Sequence, residues 1–281
     1  MTWNRILNSK RLRQSRVDDN RSNMSDNTDN RNPFESDFGR VIFSSACRRL
    51  HDKTQVFPLT TDDNIHSRLT HSMEVMNIGL SFAIYLCGNE DFKRKTKLST
   101  EDILRKISPI LKTSCLVHDI GNPPFGHFGE EVIQNYFTQL INDLKKDSNG
   151  SKTANYLSNY IINNIRDMNY IAKNEQIGNG NLHDVQLRRK RKIWDDFQEF
   201  LESRFVFDYT QFDGNAEGFR ILTKLQYLGD LYGLNLTYAT LASTLKYPNY
   251  DTKDKKSDHI GKHKHGVFLT EKEALENIAN E

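Results

Sequence analysis

The fold prediction starts from HDIGNPPFGHFGE, residues 118–130 of a 281-residue chain. An apolar run, Ile110–Val117, leads into the opening His-Asp pair, and a Gly/Pro turn separates that pair from His127 and Glu130. Imidazole and carboxylate groups together suit a divalent metal ion. A His and a Glu three residues apart share one helix face and can act as a coupled proton-transfer pair. The stretch therefore predicts a metal ion and an acid–base pair that face one cavity.

The His-Asp dipeptide begins at positions 51, 118 and 183, so it is weak evidence by itself. The first copy lies in a charged segment typical of a helix surface, and the third lies in a polar Gly/Asn stretch typical of a loop. The second copy follows an apolar helix and precedes a rigid turn. On these residues alone, the alternative is a capped helix end with an ordinary aspartate.

Composition limits the class of protein. The formal net charge of +2 is small for this length and predicts no strong general attraction to nucleic acid. The length is enough for one or two domains with a full core. No apolar run is long enough to span a bilayer, and residues 1–5 do not resemble a signal peptide. We therefore expect a cytoplasmic protein with no membrane partner, whose cysteines are buried and reduced: Cys47, Cys87 and Cys115.

Apolar residues recur at helical spacing in most of the chain and strand patterning is sparse, which predicts an all-α fold. We expect helices over residues 68–87, from 99 to 118, and from about 127 onward. We expect three regions in the chain: a polar N-terminal segment at 1–33, a helical domain at 34–250, and a basic loop with the start of a truncated C-terminal helical region at 251–281.

A second histidine is well placed at the start of the helix predicted over 68–87. Arg68 and His71 lie three residues apart and therefore on one face of that helix. A metal ligand beside an arginine suits phosphoester chemistry, because the arginine can bind a phosphate group. The alternative is a histidine that caps the backbone of its own helix.

Several motifs occur in a fixed order along the chain, and together they are far more specific than any one of them. They are FESDFGR (34–40), RRL (48–50), KTQVFP (53–58), RLTHSMEV (68–75), residues 118–130, GNA (214–216), FR (219–220) and LKYP (245–248). This order resembles the bacterial deoxyguanosinetriphosphate triphosphohydrolases of the HD-domain superfamily. The resemblance extends from about residue 34 to the end of the chain.

The resemblance implies an all-α, HD-domain helical bundle with polar loop insertions. It implies that His71, His118 and Asp119 hold a divalent metal ion, which could be Mn, Mg, Co, Ni, Fe or Zn. His127 and Glu130 match the family's catalytic histidine and its acidic partner.

The resemblance also assigns contacts with the substrate. Gln55 matches a position that contacts the deoxyribose, Arg68 matches a phosphate contact, and Asn122 matches a position that lines the substrate pocket. The implied reaction cleaves dGTP, or another deoxynucleoside triphosphate, into a deoxynucleoside and inorganic triphosphate. The resemblance further implies a homo-oligomer and makes single-stranded DNA a candidate partner.

These residue types suit that chemistry. A cation and an arginine offset the charge of the triphosphate, so that a nucleophile can approach. A metal ion lowers the pKa of a bound water and polarises the α-phosphate. The 5′-alkoxide is a poor leaving group, so His127 can protonate it while Glu130 orients and stabilises the imidazolium.

The chain departs from the family pattern at the fourth metal ligand, which lies in a later Asp-Asp-Ile-Ala-Tyr type motif. That motif is not found here, and the later Lys, Arg and Tyr that bind the triphosphate are not found either. The remaining candidate aspartates lie in unsuitable contexts: Asp208, Asp213, Asp230, Asp251 and Asp258. We therefore expect a truncated or split member that is weakly active alone.

Two other functions remain open on the sequence. One is a different HD phosphohydrolase that acts on cyclic or guanosine polyphosphate nucleotides. The other is a metal-poor fragment that binds nucleotides or assembles with another chain. A second histidine cluster could also bind a metal ion, although a basic surface loop explains it better: His259, His263 and His265.

Overall fold

The computed structural model describes residues 3–13, 29–55, 66–146, 196, 198–226, 232–250, 256 and 258–281. These residues form helices and turns, and no strand occurs among them. Extended pairing within them is limited to two isolated bridges, Arg11 with Thr237 and Thr54 with Ser67. The all-α prediction is confirmed. The chain divides into two compact units, Met1–Glu131 with Phe212–Glu281, and Val132–Gln211.

The described residues contain helices that range from a single turn to more than five turns. They are α1 (Trp3–Ile6), α2 (Pro33–Ile42), α3 (Ser45–Arg49), α4 (Arg68–Cys87), α5 (Glu90–Thr96), α6 (Thr100–Asp102), α7 (Ser108–Val117), α8 (Gly126–Lys146), α9 (Phe207–Thr210), α10 (Gly214–Arg220), α11 (Tyr238–Thr244) and α12 (Lys272–Asn280). A π-helical segment, Ile103–Ile107, joins α6 to α7, and another, Ile221–Leu225, follows α10.

Side chains in the sequence set the helix starts. The Ser67 hydroxyl accepts a hydrogen bond from the Thr70 amide and begins α4. Asn32 and Glu35 form a reciprocal capping box at the start of α2. The helices predicted over 68–87, from 99 and from about 127 are confirmed.

Helix α7 lies at the centre of the first unit and packs against α2, α4 and α11. Its Leu116 and Val117 belong to the main apolar core, where buried residues from several other segments of the first unit join them. Those residues are Val41, Cys47, Ile120, Phe219, Leu222, Leu234, Leu236, Leu241, Val267 and Leu275. The central helix therefore ends, with its core residues fixed, immediately before His118.

Helices α4 and α7 approach each other closely at a glycine. A Cβ atom on Gly79 would lie 2.7 Å from the Cys115 Sγ and 3.3 Å from the Leu111 main-chain oxygen. The 2.7 Å separation is shorter than real Cβ contacts, so a larger residue at position 79 would displace the Cys115 side chain or move the two helices apart. The spacing matters because α4 carries His71 and α7 leads into His118.

A buried carboxylate joins three distant parts of the first unit. The Asp37 side chain is fully buried and accepts hydrogen bonds from Arg11 Nη1 (2.7 Å), the Thr237 amide (2.9 Å) and the Thr237 hydroxyl (2.7 Å). Every oxygen of the carboxylate is thus hydrogen-bonded, which a buried charge needs. Asp37 lies in the FESDFGR motif, but its partners are 26 and 200 residues away.

The second unit has its own small apolar cluster. Its buried residues are Ile141, Leu201 and Val206. Phe137 and Phe200 both pack against the Tyr209 ring, with centroids 5.5 Å and 5.8 Å from it.

Two predictions made from composition can be compared with the structure. In the described residues, no helix is both long and apolar enough to cross a membrane. All three cysteines are free thiols, but Cys47 alone is buried, whereas Cys87 and Cys115 are partly exposed. The expectation that all three are buried was therefore wrong.

Candidate metal centre

Three side chains from two helix ends meet at one point. His71 lies in the first turn of α4, and His118 and Asp119 directly follow α7. One ligand atom from each residue lies within 4.8 Å of the others. The two imidazole rings meet edge to face, with centroids 5.2 Å apart. The structure thus brings together residues that are 47 positions apart in the sequence, as the metal-site hypothesis requires.

The His118 ring is held in one orientation by its own helix. Its Nδ1 lies 2.7 Å from the main-chain oxygen of Cys115, which can only accept a hydrogen bond. In the neutral imidazole the proton therefore resides on Nδ1, and the Nε2 lone pair lies on the side of Asp119, whose Oδ1 is 3.5 Å away. A metal-binding histidine usually donates its other N–H to a carbonyl in this way.

The Asp119 carboxylate is fixed by two neighbours. Arg68 Nη1 donates to Oδ2 at 2.8 Å, and Asn122 Nδ2 donates to Oδ1 at 2.7 Å. The Arg68 side chain is only 6% exposed, so this ion pair is shielded from water. Two imidazoles and an oriented carboxylate form a mixed donor set that fits a divalent ion.

Arg68 and Asn122 were predicted to contact the substrate, and in the structure both form hydrogen bonds with Asp119, one of the candidate metal ligands. Arg68 uses Nη1 on Asp119, while its buried Nε has no hydrogen-bond partner among the described residues. The main chain of Gln55 pairs with the segment just before α4, because its N–H donates to the His66 main-chain oxygen at 3.1 Å. The Gln55 Oε1 atom is buried and also lacks a partner within the described residues.

The predicted acid–base pair forms a direct contact. His127 Nδ1 lies 2.8 Å from Glu130 Oε2, one turn apart at the start of α8. The His127 side chain is 82% exposed, whereas that of Glu130 is 13% exposed. The other carboxylate oxygen, Oε1, accepts a hydrogen bond from the Gly214 amide at 2.8 Å. The acidic partner is therefore anchored, and the imidazole faces open space.

Helix α10 begins with Gly214, which packs against both Asn122 and Glu130. A Cβ atom on Gly214 would overlap Asn122 Oδ1 and lie 2.9 Å from Glu130 Oε1. A Cβ atom on Gly121 would likewise overlap the main chain of Gly214 and Gly218. These close approaches join the metal-ligand turn to the His127–Glu130 pair through one short helix.

No protein-family model matches the chain, but comparison with individual proteins is informative. A protein of Listeria monocytogenes is 36% identical over 278 residues, which cover 99% of this chain and 49% of the relative. Its name is deoxyguanosinetriphosphate triphosphohydrolase-like protein. A Serratia proteamaculans protein named deoxyguanosinetriphosphate triphosphohydrolase is 35% identical over 254 residues, 88% of this chain and 43% of the relative.

The chain is similar to deoxyguanosinetriphosphate triphosphohydrolases. A Synechocystis relative with the "-like" name supports the same conclusion at 32% identity over 283 residues, 99% of this chain and 51% of the relative. The resemblance predicted from the motifs is confirmed. The chain spans about half the length of the curated relatives that it matches, which is consistent with an N-terminal portion of the triphosphohydrolases.

Within the part of the chain that the structure describes, the metal-binding group consists of His71, His118 and Asp119, and the fourth ligand expected from the resemblance does not join it. Asp213 caps α10 through the Asn215 amide, and Asp208 is buried elsewhere. Asp230 and Asp251 lie outside the described residues, and Asp258 does not join the three ligands.

The second histidine cluster does not form a metal-binding group within the described residues. His265 is buried, so the interpretation of all three histidines as a surface loop was wrong for that residue.

Two charged residues beside the site were not assigned roles from the sequence. Lys53 Nζ donates to the Asn122 main-chain oxygen at 2.9 Å. Burial and the nearby Arg68 and Arg49 lower the pKa of the Lys53 ammonium. Burial raises the pKa of Glu217, whose charge acts on Lys53. Burial of a single lysine cannot be predicted from the periodicity of apolar residues. The KTQVFP motif was therefore the one feature of the sequence that pointed to Lys53.

Proposed function

We propose that this chain carries a metal-dependent site that hydrolyses dGTP, or another deoxynucleoside triphosphate, to a deoxynucleoside and inorganic triphosphate. One observation carries the proposal: the ligand atoms of His71, His118 and Asp119 lie within 4.8 Å of one another. The neighbouring His127–Glu130 pair and the names of the relatives support this choice among phosphohydrolases.

His71, His118 and Asp119 would hold the ion. When bound, a divalent ion supplies positive charge that acidifies water and offsets the charge of the phosphates. Arg68 orients Asp119 through Nη1, and its remaining N–H groups can donate to a phosphate oxygen. Gln55 presents a buried amide oxygen without a partner among the described residues, which suits a sugar hydroxyl as donor. Asn122 keeps Asp119 in place and, by the family resemblance, lines the substrate pocket.

His127 would act as the general acid. Its Nδ1 faces Glu130, so Nε2 is the atom that would give a proton to the 5′-oxygen as the bond to phosphorus breaks. Glu130 stabilises the imidazolium, and the Gly214 amide keeps the carboxylate from turning away. The exposure of His127 leaves room for a substrate at this nitrogen.

We further propose that this chain alone is weakly active, because three ligands are found among the described residues and the relatives are about twice as long. A fourth ligand and further phosphate contacts would lie in the part of the relatives that this chain does not match. Assembly as a homo-oligomer and binding of single-stranded DNA remain predictions from the resemblance, and a cytoplasmic location remains a prediction from the composition of the sequence.

The test is product analysis with the purified chain, Mn²⁺ and dGTP. We expect deoxyguanosine and triphosphate in equal amounts, formed slowly. Release of pyrophosphate or phosphate would favour the other HD phosphohydrolases, for which cyclic nucleotides and guanosine polyphosphates are the next substrates to assay. Turnover of about 1 s⁻¹ or faster, an ordinary enzyme rate, would contradict weak activity. Failure to bind Mn²⁺ would favour a fragment that only binds nucleotides or assembles.

A further inference from the structure

We propose that Lys53 is a positioning residue that fixes the two ligand-bearing segments of the metal centre relative to each other. Lys53 does not touch a metal ligand. It contacts the residue that begins α4 and the residue that orients Asp119. The inference deepens the proposed function, on which it rests.

The first contact is made by the Lys53 main chain. Its carbonyl oxygen accepts a hydrogen bond from the Arg68 amide at 2.8 Å. The Gln55 main-chain N–H donates to the His66 carbonyl in the antiparallel pairing of Thr54 with Ser67. The Lys53 segment and the start of α4 are therefore joined by two main-chain hydrogen bonds. The first turn of α4 carries Arg68 and His71. Its position is thereby tied to the backbone of Lys53.

The second contact is made by the Lys53 side chain. Its ammonium donates to the Asn122 main-chain oxygen at 2.9 Å, across 69 residues of sequence. The Asn122 amide group then donates to Asp119 Oδ1 at 2.7 Å. A chain of two hydrogen bonds therefore runs from Lys53 to the ligand carboxylate.

The charges around Lys53 favour this role over that of a surface cation. Burial and the positive charges of Arg68 and Arg49 lower the pKa of the Lys53 ammonium, whereas the negative charges of Glu217 and Asp119 act in the opposite direction. A half-buried ammonium beside two arginines is costly, so its hydrogen bond to Asn122 and the nearby carboxylates must offset that cost. A neutral or apolar side chain would avoid the cost but would not hold the turn.

The experiment compares the wild-type chain with Lys53→Met, which keeps most of the side-chain volume and removes the donor. Lys93→Met is the matched control, because Lys93 is also partly buried but pairs with Glu90 at 2.6 Å on α5, in another part of the first unit. Hydrogen–deuterium exchange is measured without metal on peptides covering residues 118–126. Mn²⁺ affinity is measured separately by electron paramagnetic resonance.

We expect Lys53→Met to speed exchange in residues 118–126 by about tenfold and to weaken Mn²⁺ binding roughly 10- to 100-fold, the usual effect of an outer-shell partner. Lys93→Met should change neither quantity. Unchanged exchange in the turn, or faster exchange throughout the chain, would overturn the proposal.

Two further outcomes are also decisive. If the wild-type chain binds no Mn²⁺, the proposed function fails, while the exchange measurement still tests whether Lys53 holds the turn. If Lys53→Met does not fold, Lys53→Arg replaces it, because arginine retains a cationic donor. Wild-type protection of the turn in Lys53→Arg supports the proposal, and lost protection overturns it.

Discussion

The Nδ1 atom of His118 lies 2.7 Å from the main-chain oxygen of Cys115, one helical turn earlier. The orientation of a proposed metal ligand is therefore set by the last turn of the central helix and does not depend on a bound ion. The candidate site is preorganised on the side of α7, and the third candidate ligand, His71, lies in the first turn of α4, which packs against α7.

Replacement of His118 tests the metal centre directly. We expect His118→Ala to weaken Mn²⁺ binding by more than about 100-fold, because even outer-shell partners contribute roughly 10- to 100-fold. Isothermal titration calorimetry measures the affinity. His51→Ala is the control, since His51 also precedes an aspartate but is exposed at the surface. Equal affinity in the two variants would exclude His118 as a ligand.

Replacement of His127 separates proton transfer from metal binding. We expect His127→Ala to lower turnover about 10²- to 10⁴-fold, the usual contribution of a general acid, and to leave metal content unchanged. Steady-state kinetics and metal analysis of the same sample measure the two effects. His66→Ala is the control, because His66 forms a similar pair with Glu74 at 2.9 Å outside the site. Loss of metal in His127→Ala would make His127 a ligand.

The close packing of α10 predicts a strong effect at Gly214. Gly214→Ala would place a methyl group against Asn122 Oδ1 and Glu130 Oε1, so we expect a loss of about 1–3 kcal/mol in the free energy of unfolding. Turnover should fall as well, because Glu130 loses its anchor. Gly88→Ala is the control, since its nearest neighbour would lie 3.7 Å away. Urea denaturation measures both variants, and similar midpoints would argue against the tight packing.

The buried Asp37 carboxylate predicts a large loss of stability when it is removed. Asp37→Ala removes the carboxylate that pairs with Arg11 and accepts from the Thr237 amide, and breaking such a buried pair costs about 3–5 kcal/mol. Asp29→Ala should cost far less, because the Asp29–Arg31 pair is exposed and screened by water. Thermal unfolding monitored by circular dichroism distinguishes the two. A small loss in Asp37→Ala would contradict the role of Asp37 in joining these segments.

The pH dependence of stability can be predicted at Asp102. Hydrogen bonds from Lys106 and Ser99 lower the pKa of this carboxyl from 3.8 to about 2. A folded-state pKa below the unfolded one means that the stabilisation is complete above about pH 4 and is lost as the pH falls towards 2. We therefore expect Asp102→Asn to be less stable than wild type at pH 7, with a difference that shrinks below pH 4. Urea denaturation at several pH values measures it, and a difference independent of pH would contradict the assignment.

Local features of the fold were predictable from the sequence. The start of α4 follows from Ser67 as a cap, and the pairing of His127 with Glu130 follows from their spacing within one turn. His71 and His118 were expected to lie close together, because the motif resemblance makes both of them ligands and a single ion must contact all of its ligands. Their proximity could not be derived from helical periodicity, because the pattern within each helix does not specify how α4 and α7 pack against each other.

Features that depend on partners distant in sequence were not predictable. Met73 fits the apolar stripe of α4, yet its side chain is half exposed, because the stripe does not specify which neighbours cover it. Asp37 and Lys53 resemble ordinary surface charges in the sequence. Their burial depends on Thr237 and Asn122, which no local pattern connects to them.

The contact between Asp37 and Thr237 also bears on how the chain folds during synthesis. The first half of the core emerges from the ribosome with α2, α4 and α7, while α11 and Thr237 are translated 200 residues after Asp37. Contacts so distant in sequence carry a large loop-closure cost and form late. A nascent chain would thus expose Val41 and Leu116 until the later segments arrive, and it is in this interval that the protein is most prone to aggregation.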